Sequence, residues 1–159
     1  MSHSEVFEPG SMAPARPASQ AMLINAAISK MIGVQVVSNK DILLKAQEKG
    51  VKPEMVSAFV SEHGISLASL EWVITPKTLG RRIKNNERLN PGETDRFIRM
   101  ARLTALAETV FADPAKAKAF LAKPRTRWGG KSGSELMQTD NGGRMVEELL
   151  QQLNHGFFA

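Results

Sequence analysis

Three times between residues 75 and 114 a short polar residue stands directly before a proline: Thr75-Pro76, Asn90-Pro91 and Asp113-Pro114. The polar side chain can accept from the free N–H groups of a helix's first turn, and proline at the first helical position loses an N–H that has no partner there. The pattern predicts helices that open at these three prolines, and Asn90 with Glu93 adds capping-box spacing. Other signals agree. Asn39 precedes Asp41 to Lys49, with Gly50 as the stop. Pro53 opens a helix carrying Val56, Phe59, Val60 and His63 on one stripe, closed by Gly64, and Ser66 caps a short helix with Leu67, Leu70 and Ile74. The last helix runs from about Asp140 to Leu153, with Val146, Leu149, Leu150 and Leu153 at i, i+3, i+4 and i+7. No strand pattern follows residue 38 and no repeat is visible. The fold class expected is all-α: an N-terminal helix-turn-helix bundle, then a small helical domain, with a seam near residue 100.

Before residue 39 the pattern changes. Residues 1–21 are rich in Pro, Ser and Ala and read as a flexible tail. Residues 22–37 are apolar (Met22, Leu23, Ile24, Ile28, Met31, Ile32, Val34, Val36, Val37), with helix and strand hard to separate. The expected domains are therefore 22–100 and 101–159. A chain of 159 residues buries a real core, roughly 68–70% of its unfolded surface. No apolar run approaches the roughly 18–20 residues of a membrane span. Carboxylates stand at the N-terminus where a secretion signal carries positive charge, so the expectation is a cytoplasmic protein.

Charge is unevenly placed. Residues 1–75 carry 6 basic and 7 acidic groups, residues 76–102 carry 8 and 3, residues 103–131 carry 6 and 2, and residues 132–159 carry 1 and 4. A basic middle between a neutral start and an acidic end points to a polyanionic partner, although a solvated face gives the same count.

Several chemistries find no residues to carry them. With no cysteine there is no disulfide, thiolate nucleophile or cysteine-ligated zinc. His3, His63 and His155 lie far apart with no second ligand at metal spacing. Gly130-Lys131-Ser132 resembles the end of a phosphate-binding loop, but Arg125 stands where the loop needs glycine. No nucleophile, base and oxyanion donor assemble, so neither an enzyme nor a cofactor or metal site is expected.

Residues 66–88 read as two short helices joined by a tight turn. In the second, taken as running from Pro76 to Arg88, Leu79 and Ile83 define the buried stripe. With Leu79 at zero, Lys77, Lys84, Arg88 and Arg81 fall at about 160°, 140°, 180° and 200°. Thr78, Arg82 and Asn85 flank them. Four cations on one outward stripe suit a helix entering the major groove, where Arg and Asn read base edges and Lys meets phosphates. Val73 in the turn, where glycine is usual, and Gly80 within the helix depart from that pattern.

With these residues the chain resembles the Xre/MbcA/ParS-type antitoxins that pair with RES-domain toxins in bacterial toxin–antitoxin systems. The resemblance covers about residues 39–159. It rests on Thr78-Leu79-Gly80-Arg81-Arg82 and Leu89-Asn90-Pro91-Gly92-Glu93, then Phe120-Leu121 and Trp128-Gly129-Gly130-Lys131-Ser132. It continues through Glu135-Leu136, Gly142-Gly143-Arg144, and Leu149 to His155-Gly156-Phe157-Phe158-Ala159. Gly133 stands where the family usually has proline. The resemblance implies that the first half binds operator DNA as a homodimer, represses its own operon, and sits within a larger toxin–antitoxin complex. It implies that the second half occludes an NAD-consuming, ADP-ribosyltransferase-like toxin. The toxin-facing candidates are Trp128, Gly129, Gly130, Lys131, Arg144, Asn154, His155, Gly156, Phe157 and Phe158. Trp128 is either a clasp over its own core or an interface anchor. Two alternatives stay open: a stand-alone helix-turn-helix repressor, and a neutralising protein whose helix-turn-helix no longer binds DNA.

Overall fold

The computed structural model describes residues 48–156, with Ala26, Ser29 and Leu44 as isolated helical positions. Within 53–154 the elements are α1 (Pro53–Glu62), α2 (Leu67–Leu70), α3 (Pro76–Lys84), α4 (Pro91–Phe111), α5 (Pro114–Ala122), a 3-10 turn (Thr126–Trp128), α6 (Gly133–Leu136) and α7 (Asp140–Asn154). Among the described residues no strand forms, so the fold is all-α; Arg125 and Lys131 make an isolated antiparallel bridge. The expected tail 1–21, and most of 22–47, lie outside the described residues.

The caps form where the sequence placed them. Thr75 Oγ1 accepts from the Thr78 N–H at 3.2 Å, and Asp113 Oδ1 from the Ala115 N–H at 2.8 Å. Asn90 and Glu93 close their capping box at 2.8 and 2.9 Å. Ser132 and Glu135 build a second one, which secures the start of α6 with Gly133 at its first position.

One cluster of buried residues runs from Val51 to Leu150. Its spine is α4, a single 21-residue helix that packs against α5 and α7. Phe97, Met100, Leu103 and Ala107 are buried along it, and Val110 is half-buried. The expected seam at residue 100 falls inside this helix. Three arginines on the polar side of α4 tie it to its surroundings. Arg96 Nε donates to the Val73 carbonyl at 3.1 Å. Arg99, 8% exposed, donates to the Met137 and Gln138 carbonyls at 2.7 and 3.1 Å, while Arg102 pairs with Glu147 at 2.8 Å. The first reaches the helix-turn-helix, the others the C-terminal helices.

Gly142 and Gly143 let α7 approach closely. A Cβ at Gly142 would collide with the Leu136 carbonyl, and one at Gly143 would come within 3.0 Å of Arg99 Cδ.

Candidate functional site

The helix expected to read DNA is α3, and the structure shortens it. It ends at Lys84, Asn85 is its C-cap, and Asn86 takes the left-handed conformation at φ 53°. Arg88 therefore leaves the helical stripe on which the sequence placed it; its Nη1 donates to the Gly50 carbonyl at 2.9 Å. Arg82 is turned inward as well, 2.8 Å from Glu93 and 3.3 Å from Glu87. Ile83, expected in the core, is 37% exposed, so Leu79 alone of this helix's residues is buried. The residues left outward are Lys77, Arg81 and Lys84, with Asn85 exposed beside Glu87 and Thr78 half-buried at the start of the helix. The outward face thus keeps three of its four expected stripe cations. Compatible chemistry is phosphate contact by the lysines and base-edge contact by Arg81.

The second surface is the loop between α5 and α6. Arg125 N–H donates to the Lys131 carbonyl at 3.1 Å, and Gly129 and Gly130 take φ of 66° and 82°, which turns the chain back on itself. Trp128 is only 6% exposed and meets Phe120 edge-on at 6.3 Å. Trp128 thus packs over the chain's own core. The Arg125 guanidinium stacks 4.3 Å from the Phe120 ring and 5.5 Å from Trp128. Burial, followed by the neighbouring Arg127 charge, lowers its pKa from the ordinary arginine range. Gly129, Gly130 and Lys131 are exposed. Ser132 is the cap of α6, so the Gly-Lys-Ser run is a turn and helix start with no strand before it.

The third surface is α7 and its end. Arg144 is exposed and pairs with Asp140 at 3.1 Å. The helix stops at Asn154, His155 is its C-cap, and Gly156 at φ 73° turns the chain out of the helix, as expected of glycine there. Phe157 and Phe158 lie outside the described residues. The described toxin-facing candidates thus lie on the glycine loop and on α7 and the turn at its end.

Sequence reasoning missed a cleft of about 720 Å³ between the helix-turn-helix and the C-terminal helices. Its floor includes Ile65, Trp72, Met100, Leu121 and Met137. At its edge His63 Nδ1 lies 2.7 Å from Glu108, and Lys118 Nζ donates to the Gly64 carbonyl at 2.9 Å. By spacing alone His63 is simply a helix-end residue. Its partner is 45 positions away, beyond the reach of any spacing rule.

A basic-faced helix-turn-helix joined by one long helix to a small helical unit defines the architecture. Residues 106–156 match the family model described as the antitoxin Xre/MbcA/ParS C-terminal toxin-binding domain. The chain is also similar to an antitoxin Xre of Pseudomonas putida, 39% identical over 87 residues that make up 55% of each chain. To an antitoxin Xre of Yersinia enterocolitica it is 31% identical over 87 residues, 54% of this chain and 59% of that protein. The chain spans a little over half the length of these curated relatives. Among the described residues no cluster of potential metal ligands occurs, and no helix is long and apolar enough to cross a membrane.

Proposed function

We propose that this chain is an antitoxin. Its C-terminal part, from the second half of α4 through α7, binds and neutralises a RES-domain toxin by occluding the NAD-consuming active site. Its helix-turn-helix binds operator DNA as a homodimer and represses its own operon. The observation that carries the reading is the match of residues 106–156 to a toxin-binding domain. The exposed Lys77, Arg81 and Lys84 support the DNA half, since a helix presenting cations and no carboxylate on one face suits a phosphate backbone.

The test is co-expression with the neighbouring open reading frame, followed by pull-down and growth rescue. A co-purifying toxin whose growth arrest is relieved supports the proposal; a lone dimer that binds DNA and rescues nothing indicates a stand-alone repressor. The inward turn of Arg82 and the loss of Arg88 from the helix favour a second reading, a neutralising protein without DNA binding. A mobility shift with the upstream operon region separates it from the first.

A further inference from the structure

Between Asp113 and Glu135 the chain has six cations and no carboxylate. Glu135, the acid that ends this stretch, is already committed: its Oε1 accepts from the Ser132 N–H and Oγ in the cap of α6. Arg82, Arg99, Arg102 and Arg144 each face a carboxylate, whereas among the described residues no ion pair reaches Arg125, Arg127 or Lys131. The fold then concentrates these three charges. Arg125 and Lys131 stand directly opposite each other on the antiparallel bridge, which sends both side chains to one face, and like charges so placed destabilise the pair. Burial, and then the Arg127 charge, weigh further against the Arg125 cation. Its position is nonetheless fixed. The guanidinium stacks on Phe120 and Trp128, its Nη2 donates to the Phe120 carbonyl at 3.2 Å, and its Nε has no hydrogen-bond partner among the described residues. A planar cation held in place before binding loses little freedom when it meets a carboxylate.

We propose that Arg125, Arg127 and Lys131 form a docking patch for a carboxylate-bearing surface of the toxin. The proposal rests on the antitoxin reading and deepens it by naming the chemistry of the partner's surface. Two observations favour an acidic protein over a nucleic acid. The patch lies inside residues 106–156, the stretch matched to a toxin-binding domain, and the cations that suit a phosphate backbone stand on a different element, α3. An acidic partner surface also offsets the repulsion between Arg125 and Lys131, for which the described residues supply no counter-charge.

The probe is the protein encoded by the neighbouring reading frame, titrated against the full-length chain at several salt concentrations. Arg127→Glu combined with Lys131→Glu should weaken binding about tenfold and flatten its salt dependence, because complementary charge is removed. A control pair with the same change in net charge, Lys49→Glu with Lys52→Glu, lies on exposed residues ahead of α1 and should change affinity less than about twofold. Arg127→Ala with Lys131→Ala should lose affinity in the same direction by a smaller factor, which keeps the test decisive where charge reversal disturbs the loop. Tryptophan fluorescence, with Trp128 beside Arg125, reports whether the loop is intact. If the wild type binds the probe and the patch variants bind as the control does, this inference is overturned while the antitoxin reading stands. If the wild type does not bind the probe, the antitoxin reading falls and takes this inference with it. Patch variants that keep the probe but lose operator DNA would assign the loop to nucleic acid and also overturn the proposal.

Discussion

Arg99 Nε donates to the carbonyl of Met137 across 2.7 Å, joining the middle of α4 to the turn that precedes α7. The same guanidinium holds the Gln138 carbonyl and the Asp95 carboxylate, and lies 5.6 Å from the centre of the Trp72 ring. One side chain thus touches the helix-turn-helix, the central helix and the C-terminal helices. Arg99→Met should lower stability by about 2–3 kcal/mol, since buried hydrogen bonds from a charged donor are among the stronger ones. Arg99→Lys should recover little, because a lysine cannot span two carbonyls and a carboxylate with a planar fork. Urea denaturation of the three proteins checks this.

Leu103 is fully buried on α4. Leu103→Ala should cost about 2–5 kcal/mol. Because a single core spans both halves, the loss should shift one common transition. Far-ultraviolet circular dichroism, which sees all helices, and Trp fluorescence, with Trp72 and Trp128 in different halves, should give coincident midpoints; separated midpoints would mean that α4 connects two independently folding units.

Two glycines on helices should respond oppositely to the same change. Gly142→Ala should destabilise strongly, because the new methyl would run into the Leu136 carbonyl backbone. Gly80→Ala should stabilise by about 0.5–1 kcal/mol, because nothing lies within 4 Å of its missing Cβ and alanine is the better helix former. Melting midpoints of the pair measure the difference.

On the outward face of α3, which the proposed function assigns to operator DNA, Arg81→Ala and Lys84→Ala should weaken operator binding by about 1–3 kcal/mol each where a base contact is lost, and loss of a phosphate contact should flatten the salt dependence. Arg82→Ala should instead act mainly on stability, since its partners are Glu93 and Glu87. Mobility shifts at several salt concentrations, set beside thermal melts, distinguish the two effects.

At the other end, removal of residues 154–159 should abolish or sharply weaken toxin neutralisation while leaving DNA binding intact. Gly156, the last described residue, already turns the chain away from α7, and two aromatics, Phe157 and Phe158, come directly after it in sequence. Growth rescue at matched protein abundance, beside a mobility shift, checks both arms.

Helix starts were legible because their signals are local. Thr75, Asn90 and Asp113 act within three residues of themselves, and each made its bond. The end of α3 was not: a wheel drawn to Arg88 assumes continued helix, and only the left-handed turn at Asn86 shows that it stops. Ile83 reads as core by hydropathy, yet a two-turn helix anchored through Leu79 leaves it half in water. The inward pull on Arg99 comes from carbonyls 38 and 39 positions away, which no local signal reports. The cleft was illegible for the same reason, since its walls come from well-separated stretches of chain. Within the candidate interface the sequence indicated which residues are charged, and the structure showed which of those charges are already engaged.

The continuity of α4 also limits how such proteins can be rearranged. An inserted or deleted residue anywhere between Arg96 and Arg102 would rotate everything downstream by about 100° and shift it along the axis by about 1.5 Å. Arg99 and Arg102 would then face the wrong neighbours, and the helix-turn-helix would point elsewhere relative to the C-terminal helices. Recombination that swaps heads and tails between related genes can succeed here only when the crossover keeps the central helix in phase.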